Sequence, residues 1–320
     1  MELTSFAEWK KWAEHYSVLP YVIRCHLPAG FAIDTWERAW ERASEHAFVL
    51  ESGKSGRYHF LALGAVSTIY GKGGQATIQY RDGSSLHKLQ ASPLKAVKKW
   101  FSSYRSPKVP GAPKFIGGCV GFWGYDVVRS IEDLPVIAQD DLMFPDYAFM
   151  MIDQLWVVDT LEHCLYCAIH CRIPEEKKTD ERKLWDMYQE AGERAVKMKR
   201  LWDQITEDEA VRIARWRSEA FRLAVQSDQL SIDIENFAGL KTAFGREEFM
   251  RAVEKIQDYI RSGDVFQVNL SLRQSRKLST APMEIYEWLR LFNPSPYMGL
   301  VRFPDFQLVS ASPELLVKLE

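Results

Sequence analysis

From Phe249 to Glu314 the hydrophobic period switches between helical and strand-like, and that succession limits the folds open to this chain more than any other stretch. Phe249, Val253, Ile256 and Ile260 recur at helical spacing, and Gly263 is placed to end that helix in a left-handed conformation. Phe266, Val268, Leu270 and Leu272 then alternate with Gln267, Asn269, Ser271 and Arg273, the pattern of a strand with one apolar and one polar face. A further helix and a hairpin follow. The polar face of the predicted strand carries amides, a hydroxyl and a guanidinium. It either grips an anionic, hydroxylated small molecule or faces water, as one side of an antiparallel sheet commonly does.

The residues before this stretch carry the same mixture. Phe6, Trp9, Trp12 and Tyr16 predict a short helix ending before Pro20, and Tyr21 to His26 a first strand. Asp34 is placed to cap a helix from Thr35 to about Ser44. Phe48 to Phe60 reads as strand, glycine-punctuated turn and strand, with Ser52, Gly53, Ser55 and Gly56 in the turn. That turn either brings backbone N–H groups near a ligand or simply reverses the chain, since it lacks the Lys-Ser/Thr ending of a phosphate-binding loop. Gly71 to Arg81 predicts another hairpin, Pro93 to Tyr104 a helix, and Asp153 to Arg172 two more strands. The glycines of Gly117-Gly-Cys-Val-Gly-Phe-Trp-Gly-Tyr-Asp126 do not have dinucleotide spacing and suit close backbone packing beside a bulged strand. From Pro174 to about Val225 charged residues dominate. Leu184, Met187, Tyr188, Ala191, Ala195, Met198 and Leu201 fall in helical register there, predicting one or two exposed helices, and Ser227 to Thr242 reads as a polar linker.

Composition excludes several functions. A net charge of −2 over 320 residues gives no electrostatic case for a nucleic-acid or anionic-membrane partner. No apolar run reaches membrane-spanning length and no signal peptide is evident, so the expected compartment is the cytoplasm. Five cysteines cannot all pair internally. The cluster from His163 to Cys171 invites a metal site, but strand alternation sends Cys164 and Cys167 to opposite faces, and buried thiols fit better.

Six motifs follow one another along the chain: Leu50-Glu-Ser52, Gly56-Arg-Tyr58, the Gly117 to Asp126 glycine segment, Gly263-Asp-Val-Phe-Gln-Val-Asn-Leu-Ser271, Asn293-Pro-Ser-Pro-Tyr-Met298 and Ser312-Pro-Glu314. In that order they resemble the anthranilate synthase and aminodeoxychorismate synthase component I family of chorismate-binding enzymes. The run Gln267 to Ser271 is more similar to the aminodeoxychorismate branch. The resemblance implies an α+β fold of packed antiparallel β-sheets flanked by helices, incomplete at the C-terminus. It divides the chain into an N-terminal region at 1–173, a charged helical connector and linker at 174–242, and the beginning of a chorismate-binding domain at 243–320.

The resemblance also implies site residues and partners. Ser52, Ser55, Gly56, Arg57 and Tyr58, with Pro296, Tyr297 and Met298, match a tryptophan-type pocket, and Glu314 matches a glutamate assigned as proton donor. Tyr297 and Met298 suit an indole, and Ser52 with loop amides suits an amino-acid head group. Pro313, Leu315 and Leu316 are placed to desolvate Glu314 and keep its proton. The expected partners are chorismate and a glutamine amidotransferase subunit that supplies ammonia; the pocket residues either hold L-tryptophan or pack against one another without a ligand. Mg²⁺ is the implied cofactor, and the segments that hold it in relatives are not found here. The expectation is therefore no metal ligand within this chain, no activity from it alone, and unpaired edges on the Phe266 to Leu272 and Tyr297 to Phe303 segments.

Overall fold

A computed structural model of the chain describes residues 1–319 apart from Ala29, Ser55, Asp82, Ser84, Ser85, Ala138, Gln139, Asp208 and 228–239. It divides into two compact units, one of Met1–Glu219 with Pro282–Glu320 and one of Ala220–Ala281. Residues 282–320 thus join the first two hundred in space rather than the rest of the segment 243–320.

The larger unit is an α+β arrangement built on two antiparallel sheets. The first has seven strands, in the order β1 (Val18–His26), β10 (Cys164–Arg172), β9 (Gln154–Asp159), β3 (Tyr58–Ala62), β2 (Ala47–Glu51), β13 (Tyr297–Phe303) and β14 (Phe306–Ser312). The second runs β6 (Leu86–Gln90), β5 (Gln75–Tyr80), β4 (Ser67–Lys72), β8 (Tyr147–Ile152) and β7 (Gly118–Trp123). Asp153 is the single residue between β8 and β9, so the chain passes from one sheet to the other there. Every strand pair of both sheets is antiparallel, and β13 is hydrogen-bonded on both sides. The unpaired edge expected at Tyr297–Phe303 is therefore corrected: β2 and β14 flank it.

Side chains of the seven-stranded sheet feed a different core on each face. Leu165, Cys167, Ile169 and Cys171 of β10 join a cluster with Trp9, Trp36, Tyr188 and Trp202 from in and around the helices α1 (Phe6–Ala13), α2 (Glu37–Glu41) and α5 (Glu181–Glu207). Cys164, Tyr166 and Ala168 join the cluster between the sheets, with Ala148, Met150 and Val157. Cys164 and Cys167 do lie on opposite faces, as alternation requires. Outside the five-stranded sheet, α3 (Pro93–Phe101) buries Ala96 and Trp100 against Ile69 and Tyr147.

Several local readings hold and several do not. α1 begins at Ser5 with a reciprocal capping box to Glu8, and the Gly73 turn takes a positive φ of 56°. Gly121 lies so close to β8 that a Cβ would come within 2.0 Å of the Ala148 carbonyl oxygen, which explains the glycine-rich strand. α1 ends at Ala13, before Pro20 as predicted, but β1 begins at Val18 rather than Tyr21 and so takes in Pro20. Asp34 does not cap α2; the N-cap is Trp36, whose N–H donates to Glu287 at 2.9 Å. The charged helix α5 is solvated on one side only, because its apolar stripe from Leu184 to Ile205 is buried against β1 and β10. The short helix α4 (Glu175–Lys178) precedes it, and α6 (Glu209–Gln226) follows. Most of the predicted linker, residues 228–239, lies outside the described residues.

In the smaller unit, α7 (Arg246–Ser262) ends on Gly263 with φ 83°, the predicted left-handed cap. The two-residue strands β11 (Lys241–Thr242) and β12 (Gln274–Ser275) pair with each other. The strand expected over Phe266–Leu272 does not form: these residues have no ladder partner among the described residues, and Phe266 is 92% exposed. Alternation gives a segment two faces, but a strand needs a neighbour to satisfy its backbone. The last helix, α8 (Pro282–Phe292), returns to the larger unit.

Candidate functional site

One end of the seven-stranded sheet gathers four of the six sequence motifs. β2 ends at Glu51 opposite Met298, β13 starts at Tyr297, and β14 ends at Ser312 opposite Tyr297. The β2–β3 turn, the Asn293 to Met298 segment and the chain leading to Glu314 therefore share one edge. Gly53 N–H donates to the Ser295 carbonyl at 2.8 Å. A Cβ on Gly53 would come within 2.8 Å of Met298 Sδ, and one on Gly56 within 2.0 Å of Ser52 Cβ. Glycine is required at both positions by close approach, and the turn forms one wall with Met298, which is buried. Ser52 Oγ donates to the Lys54 carbonyl at 2.9 Å, Pro296 is half-buried, and Tyr297 is 45% exposed. Ser55 lies outside the described residues.

Arg57 and Tyr58 adjoin this wall, but Arg57 is already engaged. Its Nε lies 3.0 Å and its Nη2 2.7 Å from the two oxygens of Asp159, and its guanidinium stands 4.9 Å from the Tyr58 ring centroid. Asp159 is fully buried and also accepts the N–H groups of Leu161 and Glu162, each at 3.1 Å. Burial by itself would raise this carboxyl; the hydrogen bonds from Arg57 and the two N–H groups outweigh it and hold the pKa below the ordinary value.

Beneath the wall lies a buried ionic network that sequence reasoning missed. Glu51 accepts Arg290 Nε at 2.7 Å and the indole N–H of Trp36. Arg290 donates to Glu287 at 2.7 Å and to the carbonyls of Asp34 at 2.6 Å and Ile33 at 2.8 Å. One arginine thus ties β2, α8 and the chain entering α2 together behind Ser52 and Met298. Burial raises the Glu287 carboxyl, with Arg290 opposing that rise, while burial drives the Tyr286 hydroxyl upward. The available signal was an acid closing the otherwise apolar strand Ala47–Glu51, and an acid and a base three apart on a helix.

Glu314 lies two residues past the end of β14 and is exposed, as are Leu315 and Leu316. The desolvated setting expected for its proton is not made by the described residues: the apolar neighbours point to solvent rather than over the carboxyl. Gln267, Asn269 and Ser271 are likewise exposed, in the smaller unit. Among the described residues no group of three or more His, Cys, Asp or Glu side chains is arranged to hold a metal ion, so those residues do not make the implied Mg²⁺ site. All five cysteines are free thiols. Among the described residues no helix is long and apolar enough to cross a membrane.

Residues 45–320 match the chorismate binding enzyme family along their length. This chain belongs to that family. It is 37% identical over 298 residues to aminodeoxychorismate synthase component 1 of Bacillus subtilis (strain 168), covering 91% of this chain and 56% of the relative. It is 28% identical over 318 residues to anthranilate synthase component 1 of Acetivibrio thermocellus, covering 98% and 59%. To anthranilate synthase component 1 of Pseudomonas aeruginosa it is 33% identical over 286 residues, covering 86% and 52%. This chorismate-binding family member therefore spans between half and three-fifths of the length of these relatives.

Proposed function

We propose that this chain supplies the tryptophan-type pocket and the first chorismate-domain motifs of an aminodeoxychorismate synthase component I. The parent enzyme converts chorismate and ammonia to 4-amino-4-deoxychorismate and water in the cytoplasm. Ammonia is delivered by a glutamine amidotransferase subunit, and Mg²⁺ is the cofactor. A C–N bond forms on the chorismate ring as the C–O bond to its hydroxyl breaks, and the hydroxyl takes a proton and departs as water. Glu314 is the proposed donor. Because it is exposed, that role requires a covering element that desolvates it. The 320 residues alone are proposed to be inactive.

The observation that carries the choice of product is the 37% identity to the aminodeoxychorismate relative, against 28% and 33% to the two anthranilate synthases. The test is to isolate the native polypeptide, record its intact mass, and incubate it with chorismate and ammonium chloride under Mg²⁺. Mass spectrometry should detect 4-amino-4-deoxychorismate; anthranilate as product overturns the branch and makes the protein an anthranilate synthase component I.

A second reading, a non-catalytic tryptophan-binding or amidotransferase-docking chain, is favoured by the preformed wall of Ser52, Gly53, Ser295 and Met298. It gains if the native mass is 37.0 kDa, no product appears, and tryptophan raises the melting temperature. No shift at millimolar tryptophan rules it out.

A further inference from the structure

A cavity of about 960 Å³ opens in the larger unit where β8 passes into β9, and it shares no lining residue with the Ser52–Met298 wall. Its floor carries the buried carboxylate of Asp153. The Asp153 carboxylate is held between Arg81 at 2.9 Å and Arg194 at 2.8 Å, and the Asp153 carbonyl accepts the His170 N–H at 2.8 Å. Gly117 closes over the His170 ring so tightly that a Cβ would come within 2.3 Å of it. His170 Nδ1 is buried with no hydrogen-bond partner among the described residues. Burial pushes this imidazole down to about 4, so the ring is neutral at pH 7 and offers one donor and one acceptor.

The walls are apolar, with Tyr80, Tyr104, Val109, Pro113, Ile116 and Met187 among them. Besides Arg194, which with Arg81 neutralises Asp153, the lining carries Arg105, Lys108 and Arg172 against the carboxylate of Glu190. Arg105, Lys108 and Arg172 are exposed at the lining and form no ion pair with a described carboxylate; Arg172 stands 5.7 Å from the Tyr104 ring centroid. In a chain of net charge −2 this local excess of cations is a specific feature. An inorganic anion would leave the apolar walls unused, and a neutral hydrocarbon would leave the cations unmatched.

We propose that this cavity is a second small-molecule site, for a flat organic anion. Its aromatic body lies among the tyrosine, proline and methionine walls, its carboxylate on Lys108 and Arg172, and any polar substituent at His170. This goes beyond the chorismate reading and does not depend on it.

The test is calorimetric titration of the intact chain with 1-naphthoate and with its neutral isostere 1-naphthamide. Naphthoate should bind at one site, and the amide about tenfold more weakly, as expected for the loss of a hydrogen bond to a charged group. The double variant Lys108→Gln with Arg172→Gln alters only exposed side chains, and should weaken naphthoate about tenfold while leaving the amide unchanged. Ala112→Trp, which fills the cavity, should abolish binding of both, with melting curves confirming that each variant folds. Saturating tryptophan should leave the isotherm unchanged. Equal binding of acid and amide, absence of binding at millimolar ligand, affinity unmoved in the variants, or competition by tryptophan would each overturn the proposal. Because no residue is shared, any such failure leaves the chorismate reading standing.

Discussion

Two regions carrying family motifs have opposite physical characters. At the end of the seven-stranded sheet, Ser52 and Met298 are backed by a buried glutamate, an arginine with four partners, and strands paired on both sides. In the smaller unit, the motif from Phe266 to Ser271 has no ladder and is largely exposed. A motif records which residues are used; whether it is structured depends on its neighbours. β2 finds its partner β13 from far along the chain, Glu51 pairing with Met298, whereas no described strand lies beside Phe266–Leu272.

The largest expected break in this contrast comes from Arg290→Met. It leaves Glu51 and Glu287 buried without their counter-ion, and removal of one partner from a buried pair costs about 3–5 kcal/mol. Urea unfolding of the variant should show the loss. A cost below about 1 kcal/mol would mean that the network is not what holds this end of the sheet.

Next in size is a pH effect at the other buried polar cluster. His170 has a folded pKa of about 4 against 6.5 in the unfolded chain, so the unfolded state binds the extra proton as the pH falls. Its contribution is present above pH 6.5 and is lost progressively down to about 4, to the extent of about 2–3 kcal/mol. His170→Gln should flatten that part of the stability–pH curve. An unchanged slope between these limits would assign the acid sensitivity to His46 and His59, which burial also shifts downward.

Asp159→Asn follows, at about 1–3 kcal/mol, because Arg57 and two backbone N–H groups lose a charged acceptor. The folded pKa of Asp159 is depressed, so its contribution is present above the unfolded value near 3.8 and vanishes as the pH drops through the folded one. Wild type and variant should therefore converge in strong acid. Tryptophan binding should survive the substitution if Arg57 serves the β9–β10 turn, and weaken if Arg57 also holds the ligand.

Much of the fold was legible because its signals are local. The Gly263 cap, the Gly73 turn, the alternation that splits Cys164 from Cys167, and the register of α5 each follow from spacing within a few residues. What was not legible depends on distant partners. Nothing near Tyr297 announces that β2 will pair with its strand, nothing near Trp36 announces that Glu287 will cap it, and nothing near Glu51 announces Arg290. At the candidate site the sequence offered Ser52, Gly56 and Met298, but the network beneath them needed the fold. Glu314 shows the reverse case: apolar neighbours in sequence do not enclose a side chain unless tertiary structure brings them over it.

The smallest expected effect is the sharpest test of the contrast. Phe266→Ser removes the most conspicuous aromatic of the Gly263–Ser271 motif, yet the side chain is 92% exposed and supports no strand. In this chain the substitution should change unfolding free energy by less than about 0.5 kcal/mol, as for surface positions without a packing role. Amide exchange across Phe266–Leu272 should be fast, since no ladder protects these N–H groups. A loss of several kcal/mol, or slow exchange, would show that the segment is already paired in solution. The apolar face read from its alternation would then be buried in this chain itself, and the two regions would no longer differ in kind.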